Sequence, residues 1–97
     1  MKKSYVKKGN VCKVTFELPV DIEAQEVAVL GEFNNWSPET HPLKKAKKGG
    51  YSATVSLEAG QSYRFRYLVD GQRWENDPEA DNFVPNMFGT KDSVIAL

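Results

Sequence analysis

Cysteine, histidine and net charge are what this 97-residue chain has least of: one cysteine, one histidine, and 13 basic residues balanced by 13 acidic ones. A lone Cys12 excludes an intramolecular disulfide and a cysteine-built zinc site, and its place in an apolar alternation fits a buried thiol. A lone His41 cannot supply a metal cluster, and no serine or cysteine is an evident partner for it in nucleophilic chemistry. Flanked by Thr40 and Pro42, it is expected on an exposed loop. A formal charge of zero leaves no field of one sign to drive binding to nucleic acid or to a membrane. No apolar run reaches the length of a signal peptide or a membrane span, so the expectation is a soluble, cytoplasmic protein. Asn35-Trp36-Ser37 has the form of an N-glycosylation triplet, which is idle without secretion. Neither a glycine-rich phosphate loop nor a window of helical period is present.

What is there is period-two alternation in a chain 40% hydrophobic and 11% aromatic, enough for one core and too short for two. Cys12, Val14, Phe16 and Leu18 alternate with Lys13, Thr15 and Glu17. Val27 and Val29 begin a second strand that could reach Phe33, and Leu43 to Ala46 suggests a third. Tyr51, Ala53, Val55 and Leu57 alternate with Ser52, Thr54, Ser56 and Glu58. Tyr63, Phe65, Tyr67 and Val69 follow, with Arg64, Arg66 and Leu68 on the opposite face. Pro19 to Gln25 reads as a loop, and Lys47-Lys48-Gly49-Gly50, Ala59-Gly60-Gln61 and Asp70-Gly71 as turns. Gln72 to Glu75 and Ser93 to Leu97 complete the strands, while Asp77 to Asn86, with two prolines, is expected to be irregular. About seven or eight short strands at this spacing predict an all-β antiparallel sandwich over residues 10–97. Residues 1–9 are expected to form a flexible basic tail. The lysines there and around Lys44, Lys45, Lys47 and Lys48 read as solvated side chains.

Most candidate chemistry yields to a plainer reading. A glycosidase needs two carboxylates across a cleft, whereas Asp77, Glu79 and Asp81 share one polar loop and read as solvated acids. Their spacing lacks the glycine-centred loop of a calcium site. Tyr63-Arg64-Phe65-Arg66-Tyr67 mimics a nucleic-acid strand, but alternation sends the rings to the core and the arginines to the other face. No catalytic residue, metal or cofactor is assigned. The tryptophans are the exception. Trp36 stands at the tip of Gly31-Glu32-Phe33-Asn34-Asn35-Trp36-Ser37-Pro38, and Trp74 follows the turn at Val69-Asp70-Gly71-Gln72. A large ring held among polar residues suits either the apolar face of a sugar or the edge of a core. Arg66 and the run Thr90-Lys91-Asp92 add groups able to bond hydroxyls. Spacing alone leaves both readings open.

Phe33-Asn34-Asn35-Trp36, Tyr67-Leu68-Val69-Asp70-Gly71, Trp74, Asn76-Asp77-Pro78 and Phe88-Gly89-Thr90 stand in an order that closely resembles the family-48 carbohydrate-binding modules. These are also called isoamylase N-terminal or early-set domains. They include the glycogen-binding domain of the AMP-activated protein kinase β subunit. The resemblance runs from Val11 to Leu97. It implies an immunoglobulin-like β-sandwich that binds α-1,4-linked glucan such as glycogen or starch. Trp36 and Trp74 match the family's stacking tryptophans, Arg66 a lysine that bonds hydroxyls, Phe88 an apolar residue set against the glucan, and Thr90 a hydroxyl ligand. Asp92 stands where the binding forms carry asparagine, keeping two acceptors and losing the amide donors. Gln72 and Arg73 separate Gly71 from Trp74 where the kinase form has one residue.

The reading is a free-standing, non-catalytic glucan-binding domain. Trp36 and Trp74 stack, Arg66, Thr90 and Asp92 bond hydroxyls, Phe88 is an apolar stop, and Asn35 braces its loop or reaches the ligand. The alternative is a module that docks onto a glycogen-metabolising enzyme or regulatory partner and binds no sugar. Neither nucleic acid nor a membrane is an expected partner. The two readings divide on whether Trp36 and Trp74 share one face.

Overall fold

The computed structural model describes residues 1–7, 9–19, 22, 24–47 and 49–97. Parts of the expected tail (Lys8), of the Pro19–Gln25 loop (Val20, Asp21, Glu23) and of the lysine hairpin (Lys48) therefore lie outside the described residues. Nine strands are found among the described residues: β1 (Lys2–Tyr5), β2 (Val11–Leu18), β3 (Val27–Gly31), β4 (Pro42–Lys45), β5 (Tyr51–Glu58), β6 (Ser62–Val69), β7 (Arg73–Glu75), β8 (Asn82–Pro85) and β9 (Lys91–Ala96). No helix among them is long and apolar enough to cross a membrane.

All pairings are antiparallel, in the order β1-β2-β5-β4-β3-β6-β9-β8, with β7 on the edge of β6. The path curls into a sandwich at β4, which changes sheets within four residues. Pro42 and Leu43 pair with β3, whereas Lys44 and Lys45 pair with β5. Such a strand makes the corner between packed sheets. The alternation of β2, β5 and β6 puts Cys12, Val14, Phe16, Val55, Leu57, Phe65, Tyr67 and Val69 in one core. At its centre the Phe16 ring lies 5.0 Å from Phe65, 5.5 Å from Phe33 and 6.5 Å from Tyr67. Each such buried side chain contributes about 1.5–3 kcal/mol by leaving water.

The structure corrects the sequence expectations at several places. Residues 2–5, expected within a flexible tail, form an edge strand although all four are exposed. Backbone pairing with β2 makes it. Lys3 then fastens it to the other end of the path, its Nζ donating to Asp81 Oδ2 at 2.7 Å and to the Ala96 carbonyl at 3.0 Å. Asn82–Pro85, expected to be irregular, is also an edge strand, where the N–H that proline lacks is not needed by a neighbour. Phe33 does not extend β3; it sits in one 3-10 turn, Glu32–Asn34, with its ring against the core. His41 is half-buried rather than exposed, packed against Phe33 with the ring centroids 5.8 Å apart. The last strand starts at Lys91, two residues before the expected Ser93.

Asp77 is the largest departure, because it is 2% exposed. Its Oδ2 accepts from the Tyr67 hydroxyl at 2.8 Å and its Oδ1 from the Glu79 N–H at 2.9 Å, while its own N–H donates to Ser93 Oγ at 3.0 Å. Burial, reinforced by the neighbouring Asp77 carboxylate, pushes the Tyr67 hydroxyl far above the usual phenol range, which keeps it a donor. Asp77 is thus a brace joining β6, β9 and the loop after β7.

Candidate functional site

The Trp36 turn is built from the end of β3. The Asn34 side chain closes it: its Oδ1 accepts from the Gly31 N–H at 3.0 Å, and its Nδ2 donates to the Val29 carbonyl at 3.0 Å. The same Nδ2 lies 2.9 Å from His41 Nδ1, and since an amide nitrogen only donates, the ring nitrogen is the acceptor there. Asn35 and Trp36 then both take left-handed backbone conformations, with φ of 54° and 57°. Asparagine tolerates this region, whereas a bulky residue there costs on the order of 1–2 kcal/mol. Two bonds hold Trp36 in it, Trp36 N–H to the Gly31 carbonyl at 2.9 Å and Ser37 N–H to the Asn34 carbonyl at 3.1 Å. Strain retained at the half-buried Trp36 marks a position fixed by its surroundings.

Trp74 reaches the same region by register. In β7 it stands opposite Leu68, so it shares the outer face of β6 with Arg64, Arg66 and Leu68. The Arg66 guanidinium carbon lies 5.3 Å from the Trp74 ring centroid. This cation–π contact is worth about 0.5–1 kcal/mol at an exposed site. Trp74 remains 43% exposed, which leaves ring surface free.

The third part is the loop between β8 and β9, which turns on Asn86. Its Oδ1 accepts from the Phe88 N–H at 3.0 Å and the Thr90 N–H at 3.2 Å, and its Nδ2 donates to Asp92 Oδ1 at 3.1 Å. This lifts Phe88 into solvent at 82% exposure. Asp92 is only 6% exposed and lies 3.8 Å from Arg64 Nη1 and 4.0 Å from Arg66 Nη1. Arg66 Nη1 also lies 3.5 Å from Thr90 Oγ1. One carboxylate therefore balances two guanidinium groups.

These pieces converge. Trp36, Arg66, Trp74, Asn86, Phe88, Thr90 and Asp92 line one open cavity of about 570 Å³, within the size range of small-molecule sites. Of the residues singled out in the sequence, Asn35 alone is not in its lining; it is exposed at the end of the 3-10 turn, and Asn34 does the bracing instead. Asn86 was not among them. An asparagine between Pro85 and Gly89 is the signature of a side-chain-closed turn and marked it. No group of three or more His, Cys, Asp or Glu is placed to hold a metal ion among the described residues.

Comparison with known proteins places the chain in a family. The family model described as the glycogen recognition site of AMP-activated protein kinase matches residues 7–96. The human 5'-AMP-activated protein kinase subunit beta-2 is 35% identical over 71 residues, covering 73% of this chain and 24% of that subunit. A 1,4-alpha-glucan branching enzyme of Deinococcus radiodurans is 43% identical over 49 residues, covering 50% of this chain and 7% of the enzyme. One from Xanthomonas campestris is 35% identical over 51 residues, again 50% and 7%. The chain thus spans between 7% and 24% of the length of these relatives. With a fold, an aromatic site and a match that runs through nearly all its residues, the chain belongs to the family of the AMP-activated protein kinase glycogen recognition site.

Proposed function

We propose that this chain binds α-1,4-linked glucan (glycogen, starch or a maltooligosaccharide) without catalysing any change in it. The observation that carries the reading is that both tryptophans line one cavity together with Arg66, Thr90, Asp92 and Phe88. A glucose ring has an apolar C–H face and a rim of hydroxyls. Trp36 and Trp74 cover the first, Arg66 donates to the second, Asp92 accepts from it, and Thr90 does both. Phe88, held out by the Asn86 turn, is an apolar stop at the end of the platform. Asn35, outside the cavity lining at the left-handed end of the first turn, is not assigned to the sugar. Affinity is modest, because an open platform buries little area and exchanges sugar–water bonds for similar ones.

The test is migration in a native gel containing glycogen, with tryptophan fluorescence followed during titration by a cyclic maltooligosaccharide. Wild type is retarded and its fluorescence changes, and Trp36→Ala or Trp74→Ala abolishes both effects. An unretarded wild type with unchanged fluorescence rejects sugar binding in favour of a docking module for a glycogen-metabolising enzyme.

A further inference from the structure

Beside the tryptophan cavity, the same face of the sheet carries a second groove of about 540 Å³. Its floor is a row of cross-strand neighbours: Pro42 stands opposite Ala28, Ala28 opposite Leu68, and Leu68 opposite Trp74. Residues directly opposite in antiparallel strands share a face, so this row runs unbroken from the groove to the ring of Trp74. It crosses three inter-strand intervals, about 14 Å. Pro38, just past Trp36 in the chain, also lines the groove, so each tryptophan has a neighbour in it. Glu26 and Glu39 border it, both exposed and neither in an ion pair among the described residues.

The chemistry of this lining selects its occupant. An apolar tail or peptide would lie against two carboxylates and strip them of water, which is costly. An anionic ligand would meet like charge. A sugar fits both features, its C–H face on Ala28, Leu68 and Pro42 and its hydroxyl donors on carboxylates that only accept. Continuity with the tryptophan pair makes that sugar the same chain.

We propose that a glucan lying on Trp36 and Trp74 continues over Leu68 into this groove, where Glu26 and Glu39 accept hydrogen bonds from its hydroxyls. This rests on the glucan-binding reading and adds to it a dependence on chain length. Calorimetric titration with maltotriose and with maltoheptaose tests it. Wild type binds the longer chain more tightly. The exposed double variant Glu26→Ala/Glu39→Ala keeps the maltotriose affinity and weakens maltoheptaose by roughly two- to tenfold for each of the two hydroxyl bonds removed. Equal affinity of wild type and the double variant for maltoheptaose overturns the groove and leaves the tryptophan site standing, and a basic peptide then becomes its better occupant. Failure of wild type to bind either sugar overturns both.

Discussion

Replacing Gly31 by alanine tests how the fold holds the tryptophan turn. Gly31 has φ −166° and ψ −176°, an extended backbone open to any residue, so the constraint is space. A Cβ there would lie 2.5 Å from the Arg64 carbonyl oxygen, 2.7 Å from Phe33 Cε2 and 2.9 Å from Phe65 Cβ. Two of these obstacles belong to β6, which is paired with β3 at this point, Gly31 opposite Phe65. Relief therefore requires separating two central strands, since no side-chain rotation moves a carbonyl. Overpacking costs about 1–3 kcal/mol, and a backbone obstacle puts this one near the top of that range. Alanine also restricts the unfolded chain, which offsets about 0.4–1 kcal/mol. The net loss is about 2 kcal/mol, and at roughly 4–8 °C per kcal/mol for a domain of this size the melting temperature falls by about 8–16 °C. Because the Gly31 carbonyl also receives the Trp36 N–H, the same displacement weakens retardation by glycogen. Circular dichroism melts measure the first effect and the native gel the second. A melting temperature within about 4 °C of wild type, a loss under roughly 1 kcal/mol, would refute this account of the turn.

Tyr67→Phe leaves the buried Asp77 carboxylate without its hydroxyl donor, and urea unfolding should show a loss of about 1.5–3 kcal/mol. Asn86→Ala removes the acceptor that the Phe88 and Thr90 N–H groups share. It should weaken glycogen retardation while lowering the melting temperature by only about 4–8 °C. The Asp70 carboxyl is held below its ordinary value by the Glu26 and Gln25 N–H groups. In Asp81, burial acts upward but is outweighed by hydrogen bonds from Lys3 and the Ala96 N–H, with the Lys3 charge adding to them. Both folded values are depressed, so their stabilisation is present above the unfolded carboxylate value and lost as pH falls through the folded ones. The urea midpoint should drop as pH falls below the ordinary carboxylate value of 3.8, and Asp70→Asn should flatten that drop. A double-mutant cycle between Arg64→Gln and Asp92→Asn should give a coupling of about 0.5 kcal/mol, small because Arg64 is largely solvated, and additive effects would count against charge balance there.

The strands that can be read from the chain are those whose pattern is a property of one segment. β2, β5 and β6 alternate over eight residues each, and the buried side chains are the expected ones. β1 and β8 are strands through pairing alone: Lys2–Tyr5 is wholly exposed and Asn82–Pro85 nearly so, leaving no hydrophobic period to detect. The burial of Asp77 was hidden for a related reason. Its partners Tyr67 and Ser93 lie on strands far away in sequence, so a polar proline-containing loop looked solvated. Asn34 and Asn35 are chemically identical neighbours, and only the left-handed backbone after Asn34 decides which side chain points back into the turn. The order of motifs named six residues of the cavity lining, yet whether they meet is a matter of register between strands.

Register also accounts for the two departures from the family pattern. A shift of one residue in a hairpin turns every side chain to the other face, so an added residue before Trp74 could have sent its ring inward. Val69 pairs with Arg73, however, and the loop Asp70-Gly71-Gln72 absorbs the addition. Asp70 and Gly71 adopt φ of 53° and 66°, and the Gln72 N–H donates to the Val69 carbonyl at 3.1 Å. Asp70 then accepts from Gln25 and Glu26 and ties the loop to the start of β3, which leaves Trp74 opposite Leu68 on the outer face. The aspartate at 92 follows from its neighbours in the same way. Two arginines face a nearly buried position, and an amide there would leave both guanidinium groups without a counter-charge. Aspartate supplies that charge while its oxygens still line the cavity as acceptors. Trp74 therefore reaches the cavity that Trp36 lines for a reason outside its own motif: pairing with Leu68 sets it on the outer face of β6, where the Arg66 guanidinium lies 5.3 Å from its ring.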